Sequence, residues 1–442
     1  MSLIQSFMLF AFSFIAILVI MKVTLINTSD DGGGAPVACL RLLNALVSQK
    51  VDVKLLVQHK KTNNDRVEGI AKNFITRLMA DITRLYERLP FMLFQEKDKS
   101  VRFAFSTANA GTGIKNKPLV ADADILHLHW TNSGFLSVTD LKELIDTGKP
   151  IVWTLHDMWT FTGGCHYTGG CDHFMKQCGN CPFLHDPDEN DISHSGWLRK
   201  AAMYAGAKNI TFVTCSKWLA GVAKQSALIK DFRIEPIPNP IDIDVFSPKD
   251  KLTARKKWNI APTAKIILFG AANINDKRKG ITYLVDALTI LKNSYPKTEA
   301  IEVVIFGKNR HFDVGQLPFR VHELKLISSQ QELAEIYSMA DVYITPSIED
   351  NLPNTVMEAL ACGTPVVAFN TGGIPEMVDH QQNGYLAQLM SAADLAKGLH
   401  KVLHPANATA MAAKARQKVL DNYTNEKVAQ QYMEVYRSIL SR

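Results

Sequence analysis

The stretch from residue 341 to 376 constrains the fold most, because apolar segments alternate there with loops and one helical segment. The run DVYITPS is β-branched and aromatic, which predicts a buried parallel strand. Pro353 suits the first turn of the helix TVMEALA, and Gly363 suits its left-handed C-terminal end. The strand PVVAFN and a Thr-Gly-Gly turn follow. This alternation predicts an α/β domain with a parallel sheet.

The loops of this stretch predict a nucleotide site. In an open α/β sheet, ligands bind beyond the carboxyl ends of the strands, where the loop IEDNLPN leads into a helix. A helix N-terminus offers unpaired N–H groups to an anion. Glu358, about one turn into the helix, can accept hydrogen bonds from the vicinal hydroxyls of a sugar. The alternative for Glu358 is a solvated helix face.

The same stretch resembles the motif of the retaining GT-B glycosyltransferases of family four. In that motif two glutamates, separated by seven intervening residues, precede an Ala-Cys-Gly-Thr-Pro-Val-Val tail and a Gly-Gly-x-Pro-Glu turn. The matching residues are Glu358, the tail at 362–367, and the turn residues Gly372, Gly373, Pro375 and Glu376. Asp350, a shorter carboxylate, replaces the first glutamate.

The resemblance covers nearly the whole chain from Met21 and implies two Rossmann-like domains that face each other across a cleft. The expected acceptor domain spans residues 22–238 and the donor domain residues 239–442. The linker is expected within 233–248, which carries four prolines and no helical period. The last helix is expected to cross back onto the first domain.

The resemblance also implies a reaction, the transfer of a sugar from a nucleotide diphosphate donor to a saccharide acceptor. The acceptor is expected to be free or polyprenyl-linked. Stabilising the departing diphosphate requires positive potential in the cleft. No Asp-x-Asp pair at a strand end indicates a required magnesium ion, so no catalytic cofactor is expected. Alternatives are an epimerase or phosphorylase of the same fold, or an inert sugar-binding scaffold.

Basic residues follow the first strand of the second domain, KIILFGA. Lys279 occupies the family position where a lysine meets the diphosphate, a task suited to its point charge. Ala271 stands where the family has an arginine. Either Arg278 compensates, or the loop holds the phosphates differently. A solvated basic loop is the alternative, and Asn351 and Leu352 are expected to present backbone amides to the donor.

Residues of the first domain are expected on the opposite side of the cleft. Gly33 and Gly34 lie between a strand and a helix, which suits either a tight turn or a phosphate or sugar contact. The resemblance places this loop at the cleft. His156 ends the strand IVWTLHD and matches a histidine that approaches the donor sugar. Catalysis is therefore assigned to His156, Asp350 and Lys279. His129 is a further candidate.

Cys165, Cys171, Cys178 and Cys181 fall within one loop, 165–181. Their spacing suits a structural zinc with four thiolates, with disulfides as the lesser alternative in a reducing cytoplasm. A neighbouring histidine, His166 or His173, can replace one sulfur. The loop resembles that of a subgroup acting on exopolysaccharides of the colanic-acid type.

Two segments bear on membrane association. The nearly continuous apolar segment 3–21 is either an anchor or upstream sequence from a misassigned start before Met21. A basic amphipathic helix is expected within 69–99, packed on its own domain rather than on a membrane surface. The net charge of +6 is too small to indicate a nucleic-acid partner. A cytoplasmic protein, peripheral to or anchored in the membrane, is expected.

Overall fold

The computed structural model describes residues 21–441 apart from 296, 297 and 299. The apolar segment predicted as an anchor or a misassigned start therefore lies outside the described residues, except for Met21. No helix within the described part of the chain is both long and apolar enough to cross a membrane.

The first domain is built on a sheet of seven parallel strands in the order β3-β2-β1-β4-β5-β6-β7. The strands are β1 (Lys22–Ser29), β2 (Asp52–His59), β3 (Val67–Gly69), β4 (Ile125–Leu128), β5 (Ile151–Leu155), β6 (Ile210–Thr214) and β7 (Arg233–Pro236). The helices are α1 (Gly34–Ser48), α2 (Phe74–Phe94), α3 (Pro118–Ala121), α4 (Val138–Ile145), α5 (Ile192–Tyr204) and α6 (Lys217–Ala223). All residues of β4, β5 and β6 are buried, as expected for strands covered on both faces.

The second domain contains six parallel strands in the order β10-β9-β8-β11-β12-β13. They are β8 (Lys265–Asn273), β9 (Ile301–Lys308), β10 (Arg320–Leu324), β11 (Val342–Thr345), β12 (Val366–Phe369) and β13 (Gly384–Ala387). The helices from the linker onward are α7 (Lys251–Lys257), α8 (Ile281–Ser294), α9 (Gln330–Met339), α10 (Asn354–Ala361), α11 (Ile374–Met377), α12 (Ala392–Leu403), α13 (Pro405–Asn422) and α14 (Asn425–Leu440). In both sheets the strand order reverses beside the first strand, as in Rossmann folds.

The last helix, α14, packs against the first domain. Its Tyr432 and Tyr436 belong to the same buried cluster as Val23 and Leu42. The Tyr436 hydroxyl lies 2.7 Å from His127 Nδ1. The chain therefore crosses between the domains twice, and the two crossings are neighbours, because the Ile241 N–H donates to the Tyr423 carbonyl at 2.9 Å.

The packing of α2 differs from the expectation. Its amphipathic pattern predicts an apolar face turned toward the domain. Instead, Ala80, Glu87 and Phe91 form the buried side, while Phe74 and Ile75 are among the most exposed side chains of the helix. The apolar stripe is turned toward solvent, so the packed arrangement favoured by the sequence is wrong.

Replacing Tyr436 by phenylalanine should destabilise the protein, because the buried His127 Nδ1 would lose its partner. A buried polar group left unpaired costs about 1–3 kcal/mol. We expect a lower thermal midpoint. Tyr86→Phe is the matched control because the Tyr86 side chain is 62% exposed. Equal midpoints for both variants would show that the Tyr436 hydroxyl contributes nothing to this interface.

Candidate active site

The site lies where the strand order of the second sheet reverses, beyond the carboxyl ends of the neighbouring strands β8 and β11. The loop after β8 supplies Lys279, whose Nζ lies 2.5 Å from Asp350 Oδ2 in the loop after β11. Arg278 donates to the Glu349 carbonyl at 3.2 Å and pairs with Asp276 at 2.9 Å. The two cationic side chains and the Asp350 carboxylate, predicted from separate segments, are therefore brought together.

Three glycines let the site loops approach one another backbone to backbone. A Cβ at Gly372 would lie 1.7 Å from the Asp350 carbonyl oxygen, and one at Gly373 would lie 1.9 Å from that of Asn351. Gly280 is equally confined by the Pro346 carbonyl oxygen at 1.9 Å. Gly372 and Gly280 also have φ values of 57° and 69°, which other residues adopt at a cost. These glycines thus fix where Asp350 and Asn351 stand.

Glu358 is buried, which excludes the solvated helix face. Arg41 of the first domain donates to Glu358 Oε1 at 2.6 Å, and the Tyr337 hydroxyl donates to Oε2 at 2.9 Å. The Nε and Nη1 of Arg41 are buried and have no hydrogen-bond partner among the described residues. Glu358 therefore connects the two domains.

Arg41 was missed by the sequence reasoning. Its signal is a single charge within the apolar helical segment PVACLRLLNALV, where a buried cation needs a partner. Nothing local identifies Glu358, 317 residues away, as that partner.

The side chains of Asn351 and Leu352 make structural contacts and are not free to bind a donor. The side-chain Nδ2 of Asn351 donates to the carbonyls of Leu155 and His156 at 3.3 and 3.2 Å. Its Oδ1 accepts from Ser216 Oγ at 2.5 Å. The Leu352 side chain is buried in the core of the second domain. Any donor contact of these residues would be made by their backbone, and it stays a prediction.

Glu376 caps a helix of the first domain. Its two carboxylate oxygens accept from the backbone N–H groups of Lys217 and Trp218, both at 2.9 Å. These contacts occupy the carboxylate in this structure, so its predicted role in donor binding stays a prediction.

Gly34 also meets the second domain, because its carbonyl accepts from Asn354 Nδ2 at 3.1 Å. Gly33 precedes Gly34 at the start of α1.

His156 lies at the end of β5 within a row of three histidines. Its Nε2 is 3.0 Å from His129 Nδ1, and the His129 ring stacks on that of His127 with centroids 4.4 Å apart. Burial lowers the pKa of His156 to about 4, although the charge of Asp157 opposes the shift. Burial likewise lowers the pKa of His127 to about 3. His156 is therefore a neutral imidazole at pH 7.

Asp157 organises the start of the cysteine-rich loop. Its Oδ2 accepts from Trp130 Nε1 at 3.0 Å and lies 2.7 Å from His166 Nδ1. Burial alone would raise the pKa of Asp157, but the facing His166 and the surrounding hydrogen bonds lower it. Asp157 is thus ionised and positions this loop.

The cysteine-rich loop reaches across to the second domain. The Tyr167 ring centroid lies 4.4 Å from the Arg278 guanidinium carbon, and the Gly169 N–H donates to Glu349 Oε2 at 3.3 Å. Tyr167 was not predicted, because its partner belongs to the other domain. The loop therefore covers one side of the Arg278 and Asp350 cluster.

The four cysteines of this loop are free thiols that line one cavity of about 20 Å³. The Gly163 N–H donates to Cys178 Sγ at 3.1 Å, and burial raises the pKa of Cys178 to about 11 and that of Cys181 to about 12. Within the described ranges, no three or more His, Cys, Asp or Glu side chains are arranged so that they could hold a metal ion. The thiols share a cavity but do not fit zinc as they stand, and the structural zinc stays a prediction from cysteine spacing.

Two family models match the chain consecutively. Residues 32–245 match Glycosyltransferase Family 4, and residues 250–419 match Glycosyl transferases group 1. A putative colanic acid biosynthesis glycosyl transferase, WcaC of Escherichia coli, is 26% identical over 78% of this chain and 83% of its own length. The chain belongs to the glycosyltransferases of the family-four type.

Solved structures agree with the fold. Sucrose-phosphate synthase from Thermosynechococcus elongatus has a TM-score of 0.66 and 19% identity, covering 95% of this chain and 99% of its own. Anabaena HepE, solved in complex with UDP-glucose, has a TM-score of 0.62 and 15% identity, covering 95% and 100%. The predicted α/β architecture of GT-B type is confirmed.

Gly372→Ala should abolish most activity, because the new Cβ would push the Asp350 backbone away and displace its carboxylate. Gly148→Ala is the matched control: its φ of 73° is equally left-handed, but open space surrounds its Cβ position. That control should cost only about 1–2 kcal/mol of stability. Donor turnover, measured by nucleotide release, compares the two. Similar losses in both variants would show that backbone strain, and not the contact with Asp350, is responsible.

Acidification should destabilise the protein between about pH 6.5 and 4. An unfolded histidine has a pKa of about 6.5, whereas burial lowers the pKa of the folded His156 to about 4. The unfolded chain therefore binds protons in this range that the folded chain does not, and stability falls as pH falls. Urea midpoints against pH should show a smaller slope for His156→Gln than for His185→Gln, whose side chain is exposed. Parallel slopes would contradict the assignment.

Proposed function

We propose that this glycosyltransferase moves a sugar, with retention of anomeric configuration, from a nucleoside diphosphate sugar to a saccharide acceptor. The observation that supports it most is the cluster of Lys279, Arg278 and Asp350 at the reversal point of the second sheet. The UDP-glucose complex of the structurally similar HepE supports the donor class. Similarity to WcaC supports an acceptor in surface polysaccharide biosynthesis, free or lipid-linked.

The diphosphate is expected to replace an internal partner. Asp350 Oδ2 lies 2.5 Å from Lys279 Nζ and neutralises it. A bound diphosphate brings stronger negative charge to the same ammonium group, which frees Asp350 to accept a hydrogen bond from a hydroxyl of the donor sugar. One contact is thereby exchanged for two, and the exchange couples phosphate binding to sugar positioning.

As the glycosidic bond breaks, charge grows on the departing diphosphate. Lys279 and Arg278 provide fixed positive charge there, aided by backbone N–H groups at the start of α10. The Arg278 guanidinium is held by Asp276 and the Tyr167 ring, so little reorganisation is needed. The neutral His156, at the end of β5, can hydrogen-bond a hydroxyl of the donor sugar without adding charge.

Glu358 is proposed to hold the ribose. Its carboxylate is already fixed by Arg41 and Tyr337, so its orientation does not depend on the ligand. The unpaired Nε and Nη1 of Arg41 leave donors available for a ligand oxygen. Ribose on Glu358 and diphosphate on Lys279 together define a nucleotide orientation along the loop after β11.

The test compares two lysines of one short segment, 277–279. Lys279→Ala should reduce the affinity for UDP by about tenfold or more, because a hydrogen bond to a charged group contributes about 1.5–3 kcal/mol. Lys277→Ala should not, because Lys277 is exposed. The shift in thermal midpoint across UDP, UDP-glucose and the other nucleoside diphosphates measures binding and the base preference.

An undiminished shift for Lys279→Ala would reject the donor site. Nucleotide binding without any slow donor hydrolysis or transfer would instead favour an inert sugar-binding scaffold. Release of a C2-epimerised sugar or of a sugar phosphate would favour the epimerase or phosphorylase alternative.

A further inference from the structure

The surface of α2 is strongly apolar. Eight of its large apolar side chains are between 47% and 80% exposed. They are Phe74, Ile75, Leu78, Met79, Ile82, Leu85, Tyr86 and Leu93. We call this set the α2 stripe. A continuous exposed apolar surface on a single chain indicates an interaction site, because contact of apolar side chains with water is unfavourable.

The α2 stripe is directed away from the protein. At 3.6 residues per turn, its positions lie on one side of the helix, opposite the buried Ala80, Glu87 and Phe91. A helix that merely packs on its own domain has the reverse arrangement, with the apolar side inward. The exposure therefore follows from the orientation of the whole helix and not from a few misplaced side chains.

Several contacts fix that orientation. The Thr107 hydroxyl donates to the Glu87 carbonyl at 2.7 Å, and the Ala108 N–H donates to Glu87 Oε1 at 3.2 Å. The Phe91 ring stacks on Phe105 with centroids 5.0 Å apart. The backbone of Arg84 lies so close to Gly134 that a Cβ added to Gly134 would lie 2.3 Å from the Arg84 nitrogen. These hydrogen bonds, the aromatic stack and the close approach at Gly134 together fix the orientation of the helix.

The charges beside the α2 stripe are basic. Arg77, Arg84 and Arg88 lie along one flank, between the stripe and the buried side, and Asp81 is the only exposed acidic residue of the helix. Arg88 lies over the ring of Phe103, 4.4 Å from its centroid. Phe103 is itself 66% exposed and extends the apolar surface. Apolar side chains with arginines beside them complement the acyl boundary and the phosphates of an anionic lipid layer.

We propose that α2 lies in the surface of an anionic bilayer, with the α2 stripe in the acyl boundary and the three arginines at the lipid phosphates. The proposal does not depend on the donor site, since it follows from the first domain alone. It explains why a long helix carries its apolar face outward.

The position of α2 gives this contact a use. Phe91 packs in one cluster with Phe105, Cys165 and Cys181, and so touches the cysteine-rich loop. Tyr167 of that loop lies against Arg278 at the candidate active site. Membrane contact through α2 would thus hold the cleft close to the lipid surface, where a lipid-linked saccharide acceptor would be found.

The test is flotation of the full-length protein with vesicles of phosphatidylcholine, alone or mixed with phosphatidylglycerol. Ile75→Ser/Met79→Ser/Ile82→Ser should reduce binding to the mixed vesicles by about a thousandfold or more, since three large apolar side chains are removed and each contributes about 1.5–3 kcal/mol when buried. Leu252→Ser/Leu326→Ser, at exposed apolar positions of the second domain, should bind like the unchanged protein.

Charge is tested separately. Arg77→Gln/Arg84→Gln should weaken binding to the mixed vesicles roughly thirtyfold, because each basic residue near an anionic surface contributes about 1 kcal/mol. The same variant should bind phosphatidylcholine vesicles as the unchanged protein does. Salt should reduce the difference between the two vesicle types.

Three results would overturn the proposal. Undiminished flotation of the triple serine variant would assign binding to another segment, including residues 1–20, which every variant shares. Conversion of a dimer to a monomer by the same variant, without lipid, would assign the α2 stripe to a second copy of the chain. Flotation that does not depend on phosphatidylglycerol would remove the role of the arginines. An unchanged thermal midpoint, measured without ligand, shows that the variant is folded and keeps this test separate from that of the donor site.

Discussion

The candidate site depends on a steric constraint, the near contact of three loops that leaves no room for a Cβ at Gly280, Gly372 or Gly373. Their close approach lets the backbone of the loop after β11 be held from both neighbouring loops. Once this loop is fixed, Asp350 faces Lys279 and Asn351 reaches the end of β5. Charge, hydrogen bonding and domain contact at the site all follow from the positions that these glycines permit.

Besides the apolar packing of α14, the domains meet through polar contacts that centre on the candidate site. Glu358 meets Arg41, Glu376 caps α6, and Glu349 receives the Gly169 N–H. Each of these carboxylates belongs to the second domain, and each partner belongs to the first. A polar interface of this kind can be rearranged by a charged ligand, because each contact can be replaced by water or by ligand oxygens at modest cost. The cleft is therefore suited to opening and closing around a charged ligand.

Much of the second domain could be predicted from sequence, because its strands, helices and turns are determined by residues that are neighbours in the chain. The buried strand at 342–345, the helix after Pro353 and the turn at Gly372 are each encoded by adjacent residues. The placement of Lys279 and Asp350 at one rim followed from the rule that ligand loops share one edge of a parallel sheet, but their ion pair was not predicted. Arg41 and Tyr167 could not be found in this way, since each acts on a residue of the other domain. The outward orientation of α2 was mispredicted because periodicity gives the direction of the apolar face relative to the helix and not to the protein.

The pairing of Ile241 with the segment at Tyr423 and Thr424 has a mechanical consequence. The two covalent connections between the domains run side by side and together form one hinge. Translation of one domain past the other would strain both connections, whereas rotation about the line that they share would strain neither. Any large movement of this enzyme should consequently be a swing about a single axis, with its greatest amplitude at the rim farthest from Ile241.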